Sequence, residues 1–369
     1  MSTRVLLTAE QVLGPVPGGV GRYVAELARH LPAVAERHGG SVRFVTGRHP
    51  AGALGAVGLD AGATTTLALP GRVLNRTWVR MRSPRLPARL LKAVDVVHAT
   101  SAAVPPPGSK PLVVTVHDLG FHHHPEAYPP AGRAWHERSM RLTADEAALI
   151  LVPSAATAAD CGTLYGIEPD RIAVTPLGAD PAPGDQAATR ELLAGLGVPG
   201  PFLLAVGTLE PRKNLPRLLA AFAEAGLPGH HLVVAGPSGW GETLGEVPPR
   251  VVLAGRVPDP VLRGLYELAD GLAYPSLYEG FGLPVVEAMA AGTPVLTSTT
   301  SSLPEVAGDA ALLVDPADAD AIAAGLHRLV TDQELRRRLR AAGPERAARF
   351  TWPACAEATW AGYERARGR

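Results

Sequence analysis

Short apolar runs alternate along the chain with longer stretches in which apolar residues recur every three or four positions. That is the pattern of parallel strands separated by amphipathic helices. The runs predict strands at Val5–Thr8, Val42–Thr46, Val94–His98, Leu112–Thr115, Leu149–Val152 and Ile172–Thr175. A second series then starts over at Phe202–Val206, His231–Ala235, Val251–Ala254, Gly271–Tyr274, Pro294–Thr297 and Ala311–Val314. Between the two series, the turn-rich stretch from Gly178 to Asp185 reads as an interdomain connector. The expected fold class is therefore α/β, with two parallel-sheet domains facing across a deep cleft. Ligands of such sheets bind at the carboxyl ends of the strands.

Composition narrows the classes of function. A length of 369 residues with 46% hydrophobic content suits two domains with separate cores. Thirty-five basic residues against 35 acidic ones leave no net charge, which argues against a nucleic-acid partner held by phosphate neutralisation. Cys161 and Cys355 are the only cysteines, too few for a disulfide framework or a cysteine zinc site, and they fit a reducing cytoplasm. No segment reads as an export signal or a membrane span, so the expected location is cytoplasmic. Lysine is confined to Lys92, Lys110 and Lys213, leaving arginine to carry most basic roles.

Several loops at predicted strand ends carry candidate chemistry. After Pro275, the acids Glu279 and Glu287 flank a glycine turn, Gly280-Phe281-Gly282-Leu283-Pro284, that feeds a helix. The glycines leave backbone N–H groups open and Pro284 suits a first helical turn, so the segment reads as a cradle for a hydroxyl-rich, anionic ligand. The plainer alternative is a strand-to-helix connection with one solvated and one dipole-favoured acid. In Val206-Gly207-Thr208-Leu209-Glu210-Pro211-Arg212-Lys213, two adjacent cations stand where a helix start disfavours positive charge, an arrangement that a bound anion would offset. The loop from Gly14 to Tyr23, with Gly18, Gly19 and Gly21, opens another helix. It lacks the third glycine of a dinucleotide fingerprint, yet its N–H groups suit a diphosphate. His117 and Asp118 come after a strand, where Asp118 would orient the imidazole or cap the next turn. Neighbouring His122, His123 and His124 cannot converge on one ion, so no metal site is expected. From Arg72 through Lys92, seven basic residues accumulate without an acid, interleaved with Trp78, Met81 and Leu86. Contact with an anionic membrane surface and a solvated face both remain open.

Taken together, Gly18-Gly19-Val20-Gly21, His117-Asp118, Val152-Pro153-Ser154, Val206-Gly207-Thr208 with Arg212-Lys213, and Glu279 with Glu287, seven residues between them, resemble family 4 of the retaining glycosyltransferases. The likeness spans nearly the whole chain and implies the GT-B fold of two Rossmann-like domains. It places an acceptor-binding domain at 1–180 and a nucleotide-sugar-binding domain at 181–352, with a C-terminal helix at 353–369 crossing back. By the same resemblance, Arg212 and Lys213 hold the donor diphosphate with Gly19 and its neighbour Gly18. Glu287 takes the ribose, and Arg256 and Val257 flank the base. Gly207 lies in the donor loop, Glu279 and the N–H groups of Gly280, Phe281, Gly282 and Leu283 bind the transferred sugar, and His117 sits beside the anomeric centre. No cofactor or metal is implied, the cation pair supplying the charge.

The stretch Thr115–Phe121 through Glu126 is similar to bacterial mannosyl- and related hexosyltransferases, which points to GDP-mannose first and a UDP-sugar second. The acceptor would be a hydroxyl of a glycan, a lipid-linked molecule or a small molecule. Two other classes stay open: a sugar-phosphate synthase or phosphorylase of the same fold, and a non-catalytic two-lobed sugar-binding protein.

Overall fold

The structure, a computed structural model, describes residues 2–14, 17–179, 182–239 and 247–368. Pro15 and Val16 of the first glycine loop, and Asp180 and Pro181 at the expected domain boundary, lie outside the described residues. The chain divides into two compact units. One comprises Met1–His122, Tyr128–Leu177 and Trp352–Arg369; the other comprises His123–Ala127 and Gly178–Thr351.

The first unit is built on a seven-stranded sheet in the order β3-β2-β1-β4-β5-β6-β7. Its strands are β1 (Arg4–Thr8), β2 (Ser41–Arg48), β3 (Thr64–Pro70), β4 (Val96–Ala99), β5 (Leu112–Thr115), β6 (Ala147–Val152) and β7 (Ile172–Val174), all paired in parallel. The central strands are buried along their whole length, as a sheet covered on both faces requires. β3 is the exception. It is an edge strand in which only Leu67 is buried, and its run of three threonines gave no apolar signal, so the sequence reading passed over it.

In this unit the helix Gly18–Arg37 packs beside the C-terminal helix Trp352–Arg367. Trp360 of the latter is buried where a side chain at Gly40 would collide with it, and Arg367 reaches the Ser2 carbonyl and the Thr3 hydroxyl. Arg37 pairs with Glu357 across the same two helices. Burial of Trp360, Tyr363 and Trp352 anchors the C-terminal helix to this sheet through apolar area rather than through its surface ion pair.

The second unit holds a six-stranded parallel sheet in the order β10-β9-β8-β11-β12-β13. Its strands are β8 (Phe202–Val206), β9 (His231–Ala235), β10 (Val251–Gly255), β11 (Gly271–Tyr274), β12 (Val295–Ser298) and β13 (Leu312–Val314). Chain order reverses between β8 and β11, the switch point at which sheets of this kind open a crevice beyond their carboxyl ends. In the first unit, β1 and β4 occupy the corresponding position.

Candidate functional site

At the switch point of the second unit, the loops leaving β8 and β11 meet. Gly207 follows the last residue of β8, and its φ of +148° and close approach to the Lys213 side chain favour glycine. The loop then turns through a short 3-10 segment, Pro211–Lys213, into the helix Leu215–Glu224. Asn214, buried in a left-handed conformation, ties this turn down by donating to the carbonyls of Pro275 and Pro316 and accepting from Arg217. Asparagine is among the few residues that tolerate that backbone region. It was not singled out in the sequence, although an asparagine between a cation pair and a helix start is a visible signal.

The loop leaving β11 carries Glu279 back onto the cations. Lys213 Nζ donates to Glu279 Oε1 at 2.6 Å and to the Tyr274 hydroxyl at 2.7 Å, and Arg212 Nη1 donates to Glu279 Oε2 at 2.9 Å. Arg212 also pairs with Glu210 at 2.6 Å. The anion expected between the cations is thus present as the protein's own carboxylate, and helix-end repulsion is offset without a ligand. Burial alone would raise the Glu279 pKa, but Lys213 and Arg212 outweigh it and hold the carboxyl at about 2. Tyr274 is driven well above its ordinary value by burial and by the neighbouring Glu279 charge, so it stays a neutral donor.

Beyond Glu279 the backbone is fixed at two points. Its N–H donates to Ser301 Oγ, and Ser302 Oγ donates to the carbonyls of Glu279 and Phe281. Gly282 adopts φ +102°, and a side chain there would strike Leu303, so this position requires glycine. The helix Leu283–Ala290 begins at the next residue and places the N–H groups of the Gly280–Leu283 turn at a helix start. Glu287 lies one turn inside, accepting from the Tyr266 hydroxyl at 2.8 Å. Arg256 is exposed and Val257 half-buried after β10. The structure therefore gathers Gly207, Arg212, Lys213, Glu279, Gly280, Phe281, Gly282, Leu283 and Glu287 around the loops after β8 and β11. Arg256 and Val257 lie beyond a strand two places away from β8.

His117 stands in the first unit, just beyond β5. Its Nε2 faces the Thr100 carbonyl at 2.9 Å and so carries the ring proton, leaving Nδ1 with a lone pair. Burial lowers the imidazole pKa, against smaller opposing contributions from Thr100 and Asp118, so the ring is neutral near pH 7. Asp118 Oδ1 accepts from the Gly120 N–H at 2.9 Å, the capping role. Gly18 and Gly19 are exposed in the first turn of their helix, Gly18 at φ +59°.

Under His117 runs a buried polar chain that sequence reading missed. Tyr363 OH lies 2.7 Å from His98 Nδ1, His98 Nε2 lies 2.8 Å from Thr115 Oγ1, and Thr115 Oγ1 lies 2.9 Å from Tyr23 OH. Tyr23 in turn meets the His117 ring edge-on at 4.9 Å. Burial depresses the His98 pKa to about 3, with His117 adding to the effect, so His98 is a neutral linker. A histidine inside an apolar strand was the available signal.

In the Arg72–Lys92 region, Trp78 and Leu86 are core residues, which removes them from either a membrane-facing or a solvated surface. The Trp78 indole donates to the Pro84 carbonyl instead. The helix Gly71–Met81 exposes Arg72, Arg76 and Arg80, with Val73 at 45% and Met81 at 64% exposure. Among the described residues, no group of three His, Cys, Asp or Glu side chains gathers as a metal-ligand set.

Comparison with known proteins accords with this architecture. The Glycosyltransferase Family 4 model matches residues 17–183, and the Glycosyl transferases group 1 model matches residues 195–346. O-antigen chain mannosyltransferase B of Escherichia coli is 36% identical over 266 residues, covering 68% of this chain and 70% of that protein. MMP alpha-(1->4)-mannosyltransferase of Mycolicibacterium hassiacum is 33% identical over 287 residues, 70% of this chain and 66% of its own length. D-inositol 3-phosphate glycosyltransferase of Nocardia farcinica is 34% identical over 281 residues, covering 69% of this chain and 61% of that protein. Among solved structures, sucrose-phosphate synthase from Thermosynechococcus elongatus superposes with a TM-score of 0.73 at 22% identity, covering 98% of each chain. HepE of Anabaena, solved with UDP and glucose, gives 0.73 at 18% identity over 97% of this chain and 98% of that one. These two likenesses concern the fold. The chain belongs to family 4 of the glycosyltransferases, the group 1 glycosyltransferases, and is a hexosyltransferase enzyme with the GT-B fold.

Proposed function

We propose that the protein transfers a hexose, mannose before others, from a nucleoside diphosphate sugar to a hydroxyl acceptor with retention of anomeric configuration. The observation that carries this reading is the meeting of Arg212 and Lys213 with Glu279 at the β8/β11 switch point, beside the start of the helix Leu283–Ala290. Mannose is favoured because two relatives above 30% identity are named mannosyltransferases.

In this reading the diphosphate takes Arg212 and Lys213 as its counter-charges, and those cations stabilise the departing nucleotide, the largest electrostatic contribution such a reaction needs. Glu279 keeps the cations ordered before the donor arrives, and its carboxylate receives hydroxyls of the transferred sugar. The N–H groups of Gly280 to Leu283 face the same sugar. Glu287, held by Tyr266, clamps the ribose. Arg256 and Val257 border the base, and Gly18 and Gly19 offer N–H groups to phosphate. His117, neutral with a free Nδ1, serves the reacting centre. No metal enters this scheme, in which Arg212 and Lys213 turn from their carboxylate partners to the diphosphate.

The acceptor is a glycan, lipid-linked or small-molecule hydroxyl compound. The acid-free basic helix Gly71–Met81, with Val73 and Met81 exposed among its arginines, supports peripheral contact with an anionic cytoplasmic membrane face. Among the described residues, no helix is long and apolar enough to cross a membrane. Incubating the enzyme with GDP-, UDP-, ADP- and dTDP-sugars and following slow release of the free hexose tests the proposal. GDP-mannose should be turned over fastest; inertness toward every donor would overturn it.

A further inference from the structure

Three of the described tryptophans, Trp78, Trp352 and Trp360, are buried, whereas Trp135 is half-buried. It lies in the helix Pro130–Glu146 and meets the His136 ring edge-on at 4.9 Å. His136 is itself stacked on Phe121 at 5.3 Å with 17° between the planes, and Tyr128 closes edge-on against both. Phe121 is buried in the core and Tyr128 packs against it, so this wall of rings is rigidly backed. Its outer members keep unused polar groups: among the described residues, neither the Trp135 indole nor the His136 imidazole has a hydrogen-bond partner.

One ring of the wall, Phe121, belongs to the short helix Gly120–His123 that follows His117 and Asp118. Asp118 spends Oδ1 on the Gly120 N–H. Burial lowers the His136 pKa, with the Asp118 charge opposing it, so the ring favours its neutral form. A neutral imidazole offers one donor and one acceptor, and a carboxylate offers acceptors alone. An indole face with such groups at its edge suits a ligand that is apolar on one side and ringed with hydroxyls on the other. A phosphate, by contrast, would meet the Asp118 charge.

We propose that Trp135, His136 and Asp118 form an acceptor subsite for a neutral pyranose ring, its C–H face laid on the indole and its hydroxyls shared between imidazole and carboxylate. The role as acceptor subsite rests on the transferase reading above; the binding itself does not. The subsite selects an uncharged sugar hydroxyl over a phosphorylated acceptor.

Equilibrium titration without any donor tests it. Methyl α-D-mannopyranoside should quench tryptophan emission saturably in the wild-type protein, and the quenching should vanish in Trp135→Phe. Followed by calorimetry, affinity for the mannoside should fall roughly tenfold in Asp118→Asn, the size of one charge-assisted hydrogen bond, and by more in Trp135→Ala. Inorganic phosphate should neither quench nor compete. Absence of saturable quenching, quenching that persists in Trp135→Phe, or displacement of the mannoside by phosphate would each overturn the proposal. Because no sugar nucleotide is present, failure here leaves the transferase reading to be judged by donor turnover.

Discussion

Lys213 and Glu279, 66 residues apart in sequence, form a part-buried ion pair of 2.6 Å that the Tyr274 hydroxyl closes into a three-way contact. With Arg212 held between Glu279 and Glu210, two cations face two carboxylates and the site is self-neutral before any ligand arrives. Removing one partner of such a pair leaves the other part-buried and unpaired, so single substitutions here probe stability as well as binding.

Glu279 and Glu287 should separate by ligand half. Glu279→Gln frees Lys213 and Arg212 from their internal counter-charge, so affinity for a plain nucleoside diphosphate should hold or tighten while turnover of the sugar nucleotide falls. Glu287→Gln should weaken nucleoside diphosphate and sugar nucleotide alike. Calorimetric titration of both ligands decides this, and equal losses of plain nucleotide in the two variants would refute the division.

His117 should act on turnover. His117→Ala is expected to lower kcat by roughly a hundredfold, the value of one positioned acid–base group, while donor affinity scarcely moves. Because burial depresses its pKa, the neutral ring persists below the ordinary histidine range. Activity should therefore hold as pH falls through 6.5 and decline only below it. An acidic limb at or above that value would count against a neutral His117.

Acid stability should depend on His98. In the folded protein this imidazole resists protonation until about pH 3, whereas the unfolded chain accepts the proton near 6.5. Between those values the unfolded state binds more protons, so stability is greatest above 6.5 and falls on acidification. Glu279, held at about 2, adds a loss of the same sign below its ordinary value of 4.5. Urea unfolding from pH 7 to 4 should show this decline, and His98→Gln should flatten it between 6.5 and 4.5. An unchanged slope in the variant would remove His98 as its cause.

The basic helix should bind anionic surfaces. Each cation near such a bilayer contributes about 1 kcal/mol, so Arg72, Arg76 and Arg80 with their neighbours can hold the protein reversibly. Co-sedimentation with phosphatidylserine-containing but not neutral vesicles is expected, falling as salt rises, and reduced by Arg76→Gln with Arg80→Gln or by Met81→Ser. Trp78→Ala would instead unfold this region, since its ring is buried. Indifference of the wild-type protein to anionic vesicles would return the helix to a solvated face.

The parallel α/β class was legible because the central strands β4, β5, β11 and β12 are buried throughout and so begin on apolar residues that few polar ones interrupt. β3 was illegible because an edge strand of threonines buries only one residue. Local features such as the Gly282 turn and its helix could be read from spacing, since they depend on neighbours in sequence. Contacts made by distant loops could not. Nothing near Glu279 says that it folds onto Arg212 and Lys213, and His98 meets Tyr363 across 265 residues. Trp78 misled for the same reason: its helix is basic on the outside, and only the fold shows that the indole points inward.

The central claim is that Arg212 and Lys213 bind the donor diphosphate without a metal. Calorimetric titration of GDP and UDP in EDTA, on wild type, Arg212→Ala and Lys213→Ala, with circular dichroism to confirm folding, tests it most directly. The account predicts that one nucleotide binds the wild-type protein in EDTA and that each variant loses roughly 1.5–3 kcal/mol of affinity, with the two losses less than additive because both cations share Glu279. Binding that requires magnesium or manganese, or folded variants whose affinity stays within threefold of wild type, would contradict it.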